Sequence, residues 1–381
     1  MIMNVYLDNS ATTRAYDAVA EKMKDVMLNN YGNPSSLHNA GIDAEKLLKE
    51  ARRTVASVFA AEDKEIIFTS GGTESDNMAI VGAYNARKRE SNHIVTTTIE
   101  HPAVLETVKR LETLGAMVTY IDVDRDSRLD MEALRYAVSK GAAVISVMAV
   151  NNETGAMMPL CLVNDVKGNA ILHCDAVQAF CKEKIDNLPA DLISVSAHKI
   201  HGPKGIGALY IKNGIKLPAF IDGGGQERGL RSGTENLPGI VGMAEAVKTI
   251  MDDQECYKRI AHINAKLRRG LQEEVTDIRI NSPENGAPYI LNVSFLGTKG
   301  EVLLHKLEQE GIYVSTGSAC SSGRNGKSGS HVLKAMGLSK EEIEGAIRFS
   351  FGAFNTEEEM DYVIDKVAKA VGEFRRLGRY Q

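Results

Sequence analysis

The chain lacks any uninterrupted apolar run of the roughly 18 residues that a membrane-spanning helix needs. It is also poor in cysteine. There are five in 381 residues, an odd number, at positions 161, 174, 181, 256 and 320. None forms a Cys-x-x-Cys pair or a Cys/His cluster at zinc-ligand spacing. Neither a disulfide scaffold nor a zinc module fits, no metal is expected, and a reducing cytoplasm is the simplest compartment. Basic residues are in deficit: 45 Lys and Arg stand against 50 Asp and Glu, a net charge of −5. A protein built to bind nucleic acid ordinarily shows the opposite balance. The opening stretch MIMNVYLDNSATT has no basic region ahead of an apolar one and carries Asp8, so it does not read as a signal peptide. No internal repeat and no long low-complexity tract is present.

What remains is an ordinary globular composition, 43% hydrophobic and 25% charged. At roughly 150 residues per domain the length suggests two domains, or one large and one small. Strands are expected at 66–69, 94–98, 117–122, 143–150, 170–174, 192–196 and 207–211. The run AVISVMAV has no polar alternation, which is the pattern of a strand covered on both faces in a parallel sheet. Between strands, Ala44, Leu47, Leu48, Ala51, Val55 and Val58 recur at helical spacing, as do Val104, Val108 and Leu111. This alternation of strand and helix predicts an α/β domain. Beyond residue 211 the pattern changes. A glycine-rich loop, DGGGQERGLRSGTEN, leads into one long helical stretch at about 239–275, then strands at 290–295, 312–315 and 346–351 interleaved with helices. That reads as a second, smaller α+β unit.

Several segments carry chemistry. In Ile66-Ile67-Phe68-Thr69-Ser70-Gly71-Gly72-Thr73-Glu74, a strand runs into two glycines, a hydroxyl and a helix start. Free amides and the positive end of the helix dipole favour an anion there, Gly72 lets the backbone approach it, and Thr73 can donate to it. An N-cap role for Thr73 fits the same residues. The segment matches neither the dinucleotide nor the triphosphatase glycine fingerprint. Asp175 follows a buried strand, where ligands gather in open α/β sheets and where a carboxylate can meet a cationic nitrogen; an N-cap fits equally. Lys199 ends another strand beside His198 and ahead of a Gly/Pro loop. Desolvation at such a place lowers an amine pKa and makes a Schiff-base nucleophile, while a solvated loop lysine is the plainer alternative. His101 also follows a strand, where its ring can stack on a planar ligand or carry a proton. Cys320 sits in a loop of small residues, with Arg324 and Lys327 to favour its thiolate; a spectator thiol is the alternative.

Taken together, these segments resemble the cysteine desulfurases. The resemblance runs from YLDNSATT at 6–13 to IRFSFGAFNTEEE at 347–359, through YGNPSSLHNAG, TSGGTESDN, TIEHPAV, VNNETG, HCDAVQ, SAHKIHGPKGIG, RSGTEN and GSACSS. Any one marker is weak; their ordered set is specific. It implies an α/β fold, that of the pyridoxal-phosphate-dependent transferases of fold type I. The large domain, 14–255, would hold a mostly parallel seven-stranded sheet, and 1–13 with 256–381 would form the small α+β domain. The implied cofactor is pyridoxal 5'-phosphate. Lys199 matches its Schiff-base lysine, His101 the histidine stacked on its ring, Asp175 the carboxylate on its ring nitrogen and Gln178 the donor to its ring oxygen. Gly72, Thr73, Ser196 and His198 match phosphate ligands, joined by Thr234 from the second subunit of a homodimer. Asn152 matches a residue near cofactor and substrate, Arg348 the arginine that grips the substrate carboxylate, with Asn33 assisting, and Cys320 the cysteine that becomes a persulfide.

The activity so implied converts L-cysteine to L-alanine and leaves a persulfide on Cys320. That sulfur would pass to an acceptor protein serving iron–sulfur clusters, thio-modified tRNA or cofactors. The stretch after Cys320, Gly-Arg-Asn-Gly-Lys-Ser-Gly, is longer than in the housekeeping iron–sulfur members and resembles the subgroup whose cysteine swings out to its acceptor. The alternatives are a selenocysteine lyase, an aminotransferase of the same fold, and a sulfur-relay scaffold without activity. An aminotransferase needs no loop cysteine, and the intact Lys199, Asp175, His101 and Cys320 speak against the scaffold. Replacement of Cys320 by Ser is expected to cut alanine and sulfide release from L-cysteine by at least about 10²-fold, because the nucleophile is gone. Both products are measured directly, and full retention would remove Cys320 from the reaction.

Overall fold

The computed structural model describes residues 3–184, 188–253, 255–316 and 329–378. Cys320 lies outside the described residues. The strands are β1 Val5–Tyr6, β2 Ile66–Thr69, β3 His93–Thr97, β4 Met117–Ile121, β5 Val144–Ser146, β6 Ile171–Asp175, β7 Leu192–Ser196, β8 Gly207–Ile211, β9 Ile278–Ile280, β10 Ile290–Phe295, β11 Ile312–Tyr313 and β12 Ala346–Ser350. β2 to β8 form one seven-stranded sheet in the order β2-β8-β7-β6-β5-β3-β4. From β4 to β7 every pairing is parallel, whereas β8 runs antiparallel to both β7 and β2. Its inner strands are short runs of β-branched and apolar residues buried along their whole length, as a sheet covered by helices on both faces demands.

The register fixes what arrives at the rim. β6 pairs with β7 so that Asp175 stands beside Ser194. The carboxyl ends of β3, β6 and β7 therefore release His101, Asp175 and the Ser196–Lys199 stretch along one edge, the edge at which open α/β sheets bind ligands. Two glycines keep that edge tight. Gly207, at the start of β8, passes so close to Gly71 that a Cβ on it would lie 2.8 Å from the Gly71 Cα. A Cβ on Gly72 would lie 2.7 Å from Val177 Cγ2.

Most expected elements form within a residue or two of the bounds read from the sequence, and three differences are informative. The strand expected at 143–150 ends at Ser146. Its continuation still bonds to β6, Val147 N–H donating to His173 O and Ala149 N–H to Asp175 O, and stays buried to Val150. The stretch expected as one helix at 239–275 is two, Leu237–Asp252 and Cys256–Glu274, because Asp253 leaves the helical region (φ −97°, ψ 72°). Its carboxylate then takes both terminal nitrogens of Arg259, at 3.0 and 2.6 Å. β9, only three half-buried residues, carries too short a pattern to be seen in the sequence.

β9, β10 and β12 form an antiparallel sheet in the order β12-β10-β9, and β1 pairs in parallel with β11. The helices Cys256–Glu274 and Glu357–Gly378 pack together beside them. The apolar residues of this sheet, β1 and the flanking helices run into the same core as one face of the large sheet, and a second, smaller core lies on that sheet's other face. Cys174, Cys181 and Cys256 are buried, which pushes their thiols up; Cys161 is exposed.

The glycine-rich loop after β8 is held by two ion pairs, Arg231 with Glu74 at 2.7 Å and, more deeply buried, Glu227 with Arg52. Glu227 grips both terminal nitrogens of Arg52 at 2.7 and 2.8 Å and accepts the Phe68 N–H at 2.9 Å. The Glu227 side chain is 3% exposed and that of Arg52 12%. Removing one partner leaves the other charge buried and uncompensated, so Glu227→Ala is expected to destabilise the fold by about 3–5 kcal/mol. Denaturant unfolding measures this.

Candidate active site

A cavity of about 370 Å³ opens where the rim of the large sheet meets β12. Ten of the residues singled out by sequence line it: Gly72, Thr73, His101, Asn152, Asp175, Gln178, Ser196, His198, Lys199 and Arg348. They come from six separate stretches of chain. Two others, among the described residues, are not brought in. Asn33 sits on an exposed loop, its Oδ1 accepting the Ser35 N–H at 2.9 Å. Thr234 is exposed ahead of the helix Leu237–Asp252 and does not line the cavity of its own chain. Cys320 lies outside the described residues.

One end of the cavity is built for an anion. The helix Gly72–Arg87 begins there with Gly71 at its N-cap and, among the described residues, no side chain capping it, so its first amides are not taken by a cap from them. Thr73 is therefore not the N-cap; it lies inside the first turn and is exposed to the cavity. Ser196 Oγ is buried and makes no hydrogen bond among the described residues. The Nδ1 of His198 lies 3.2 Å from Thr12 Oγ1, and burial together with Lys199 pushes this imidazole down to about 4.

Another part of the lining is acidic. Asp175 is buried at the end of β6, its Oδ1 accepting the Val177 N–H at 2.9 Å. Burial, then the neighbouring Asp76, raises its carboxyl to about 7. Asp76 is itself buried and raised to about 7 by desolvation, its Oδ1 without a hydrogen bond among the described residues and 3.5 Å from His173 Nε2. Single donor atoms of Asp76, Asp175 and His101 all lie within 4.8 Å of one another. His101 is the N-cap of the helix Pro102–Thr113. Its Nδ1 accepts the Ala103 N–H at 3.1 Å, which puts the proton of the neutral ring on Nε2. Burial, Lys199 and His331 hold this ring down to about 4, so it is neutral at physiological pH.

Lys199 reaches the cavity from the short helical turn after β7, and its Nζ donates to Ser10 O and, at 2.8 Å, to Ala11 O. Gln178 Nε2 also donates to Ser10 O, at 3.0 Å. Arg348, on β12, is 6% exposed. It donates through Nη1 to Asn152 O at 3.0 Å and through Nη2 to Asp8 at 2.7 Å. These donors and acceptors fit pyridoxal phosphate. Ser196 Oγ and the first amides of the helix offer donors at the phosphate end, and Asp175 lacks only the counter-charge that a protonated ring nitrogen brings.

Sequence reasoning missed Asp8, Ser10, Asp76, Glu100, Glu153 and His331. Asp76 had a usable signal: it lies three residues after Thr73, hence on the same face of the helix. Glu100 adjoins the singled-out His101. It is fully buried, accepts from Thr97 Oγ1 and Met148 N–H, and is raised to about 8 by burial. Asp8 and His331 had none, since each meets the site through contacts hundreds of residues away in sequence.

The whole chain is similar to known proteins. Residues 5–363 match the model of the aminotransferase class-V family. The chain is 42% identical to "Cysteine desulfurase IscS" of Clostridium botulinum (strain Hall), covering 99% of this chain and 96% of that protein. It is 42% identical to "Cysteine desulfurase" of Sinorhizobium fredii, covering 97% of each. Among solved structures, a NifS-like protein superposes with a TM-score of 0.90 at 40% identity, covering 97% of this chain and all of the other. The structure "SspA in complex with cysteine" superposes with a TM-score of 0.82 at 33% identity, covering 93% of this chain and all of the other.

The raised Asp76 carboxyl gives a signed pH dependence. The folded chain holds this proton up to about 7, whereas the unfolded chain releases it near the ordinary 3.8. Stability from this group is therefore full below about 4 and lost as pH rises through 7. Asp76→Asn lacks that loss. In cofactor-free protein, the stability difference between variant and wild type is expected to move in favour of Asn by about 1 kcal/mol or more from pH 5 to pH 8. Denaturant unfolding at the two pH values checks it.

Proposed function

The chain belongs to the class-V aminotransferases and, within them, to the cysteine desulfurases, and we propose that it converts L-cysteine to L-alanine with Lys199, His101, Asp175, Arg348 and Cys320 as the working residues. The observation that carries the assignment is that Lys199, Asp175 and Arg348, from three separate parts of the chain, face one cavity. Pyridoxal 5'-phosphate, when bound, supplies a protonated ring that draws electron density away from the substrate Cα. Gly72 N–H, Thr73, Ser196 and His198 hold the phosphate, with Thr234 of a second copy. Asp175 keeps the ring nitrogen protonated, Gln178 bonds the ring oxygen, and His101 covers the ring face.

Arg348 orients the substrate by its carboxylate beside Asn152, since a guanidinium matches a carboxylate in both charge and shape; Asn33, outside the cavity of its own chain, takes no part in this reading. Lys199 moves the Cα proton. Neutral His101, with its proton on Nε2, is a second group able to pass a proton, each such positioned group contributing roughly 10²–10⁴-fold. The Cys320 thiolate attacks the substrate sulfur, so that an S–S bond forms as the substrate C–S bond breaks, leaving alanine and the persulfide.

The division into 14–255 as the cofactor-binding part, and 1–13 with 256–381 as the part carrying Cys320, belongs to the same reading. So does a homodimer. It is supported by the position of Thr234 outside its own cavity and by the exposed Leu37 (96%) and Tyr31 (79%) on the loop that also carries Asn33. The persulfide would then be handed to an acceptor protein in the cytoplasm for iron–sulfur clusters, thio-modified tRNA or cofactors. No described helix is long and apolar enough to cross a membrane.

Borohydride is expected to fix pyridoxal phosphate covalently to the wild-type chain and not to Lys199→Ala, which should also lose at least about 10³-fold in alanine formation. Mass spectrometry locates the reduced adduct, and an unchanged adduct in the variant would overturn the assignment.

A further inference from the structure

Arg348 does not wait for a substrate alone. Its Nη2 is 2.7 Å from Asp8 Oδ1, with side-chain exposures of 7% and 23%. Its Nη1 donates to Asn152 O, and its Nε is buried without a hydrogen-bond partner among the described residues. A guanidinium has five N–H groups. The two bonds on Nη1 and Nη2 therefore leave three N–H groups on a cation whose charge Asp8 already offsets.

The attachment of Asp8 is rigid. Its carbonyl accepts from Ala11 and Thr12 N–H, and the residues on either side are tied to β12 two positions from Arg348. Ser350 N–H donates to Leu7 O at 2.7 Å, Asn9 Nδ2 to Ser350 O at 2.9 Å, and Ser10 N–H to Ser350 Oγ at 2.8 Å. The other carboxyl in this wall, Glu153, accepts from Ser330 Oγ instead. Asp8 is thus the built-in carboxylate of the arginine, and it lines the same cavity.

We propose that Asp8 is a positioning and affinity-setting residue. It holds the Arg348 fork in place and, as a resident carboxylate, limits how tightly the fork retains an incoming amino-acid carboxylate, so that product can leave. This rests on the reading of Arg348 as the carboxylate anchor. Tighter binding shared equally by substrate, transition state and product lowers KM without raising kcat. A site with an unshared arginine would hold the alanine product more firmly and slow its release.

The test uses the cofactor-loaded enzyme and Asp8→Asn, which keeps an oxygen for Nη2 and removes only the charge. Calorimetric binding of L-alanine and the KM for L-cysteine are expected to tighten about tenfold, as loss of one partly screened charge contact predicts, while kcat does not rise. Asp8→Glu keeps the charge and is expected not to tighten either. Unchanged or weaker alanine binding in Asp8→Asn, a rise in kcat, or equal tightening in Asp8→Glu would overturn the proposal. Arg348→Lys separates the two levels. If it leaves alanine binding unchanged, Arg348 is not the anchor and the underlying reading fails; if it weakens binding while Asp8→Asn changes nothing, only the role of Asp8 fails.

Discussion

The site depends on one strap of backbone, residues 7–13. On one side it is stitched to β12 through Ser350, and its Asp8 is paired with Arg348. On the other it receives Gln178 Nε2 and Lys199 Nζ on the Ser10 carbonyl, places Thr12 against His198, and bonds Thr13 to the His198 carbonyl and to the His201 N–H. The strap thereby sets the distance between the lysine and aspartate of the large sheet and the arginine of the small one. A backbone segment suits this task, because its carbonyls are fixed acceptors that cost little side-chain entropy to order. The cavity is the gap left where the strap crosses from one sheet to the other.

The second constraint is electrostatic. Asp76, Asp175, Glu100 and Glu153 are all buried, and desolvation raises each carboxyl toward or above neutrality. His101, His173 and His198 are pushed the other way, to about 4, by the same lack of water. Of these, His101 and His198 with Asp76, Asp175 and Glu153 line the cavity, so the protein alone presents neutral imidazoles and raised carboxyls around a space with an unsatisfied hydroxyl, Ser196 Oγ, at one end. Such an arrangement is costly by itself and makes sense as half of a site, completed by a molecule that is cationic at one end and anionic at the other.

Much of this was legible in the sequence because it follows from local pattern. Short, largely apolar runs marked β2, β7, β8 and β10 at their observed bounds, and the residue at the end of each inner strand marked the ligand edge. Failures came where local pattern and tertiary pairing disagree. Half-buried β9 has no clear period. Residues 143–150 read as a single strand, although the regular strand ends at Ser146 and its continuation, still bonded to β6, lines the cavity with Met148 and Val150. Asp253 splits a helix for reasons that involve Arg259 six residues on.

What the sequence determined by itself is the inventory: the elements, their burial, and the ordered motifs that place the chain among the cysteine desulfurases. Lys199, Asp175 and His101 could each be named from strand-end positions whose chemistry is local, and Arg348 only from the family resemblance of the motif that carries it. Only the tertiary structure decided which of these share one cavity, that Asp76 stands beside Asp175, and that Arg348 already has Asp8 as a partner. Those pairings join residues as far as 340 positions apart. Distance along the chain carries no charge and no geometry, and only the packing of two sheets against a common strap supplies both.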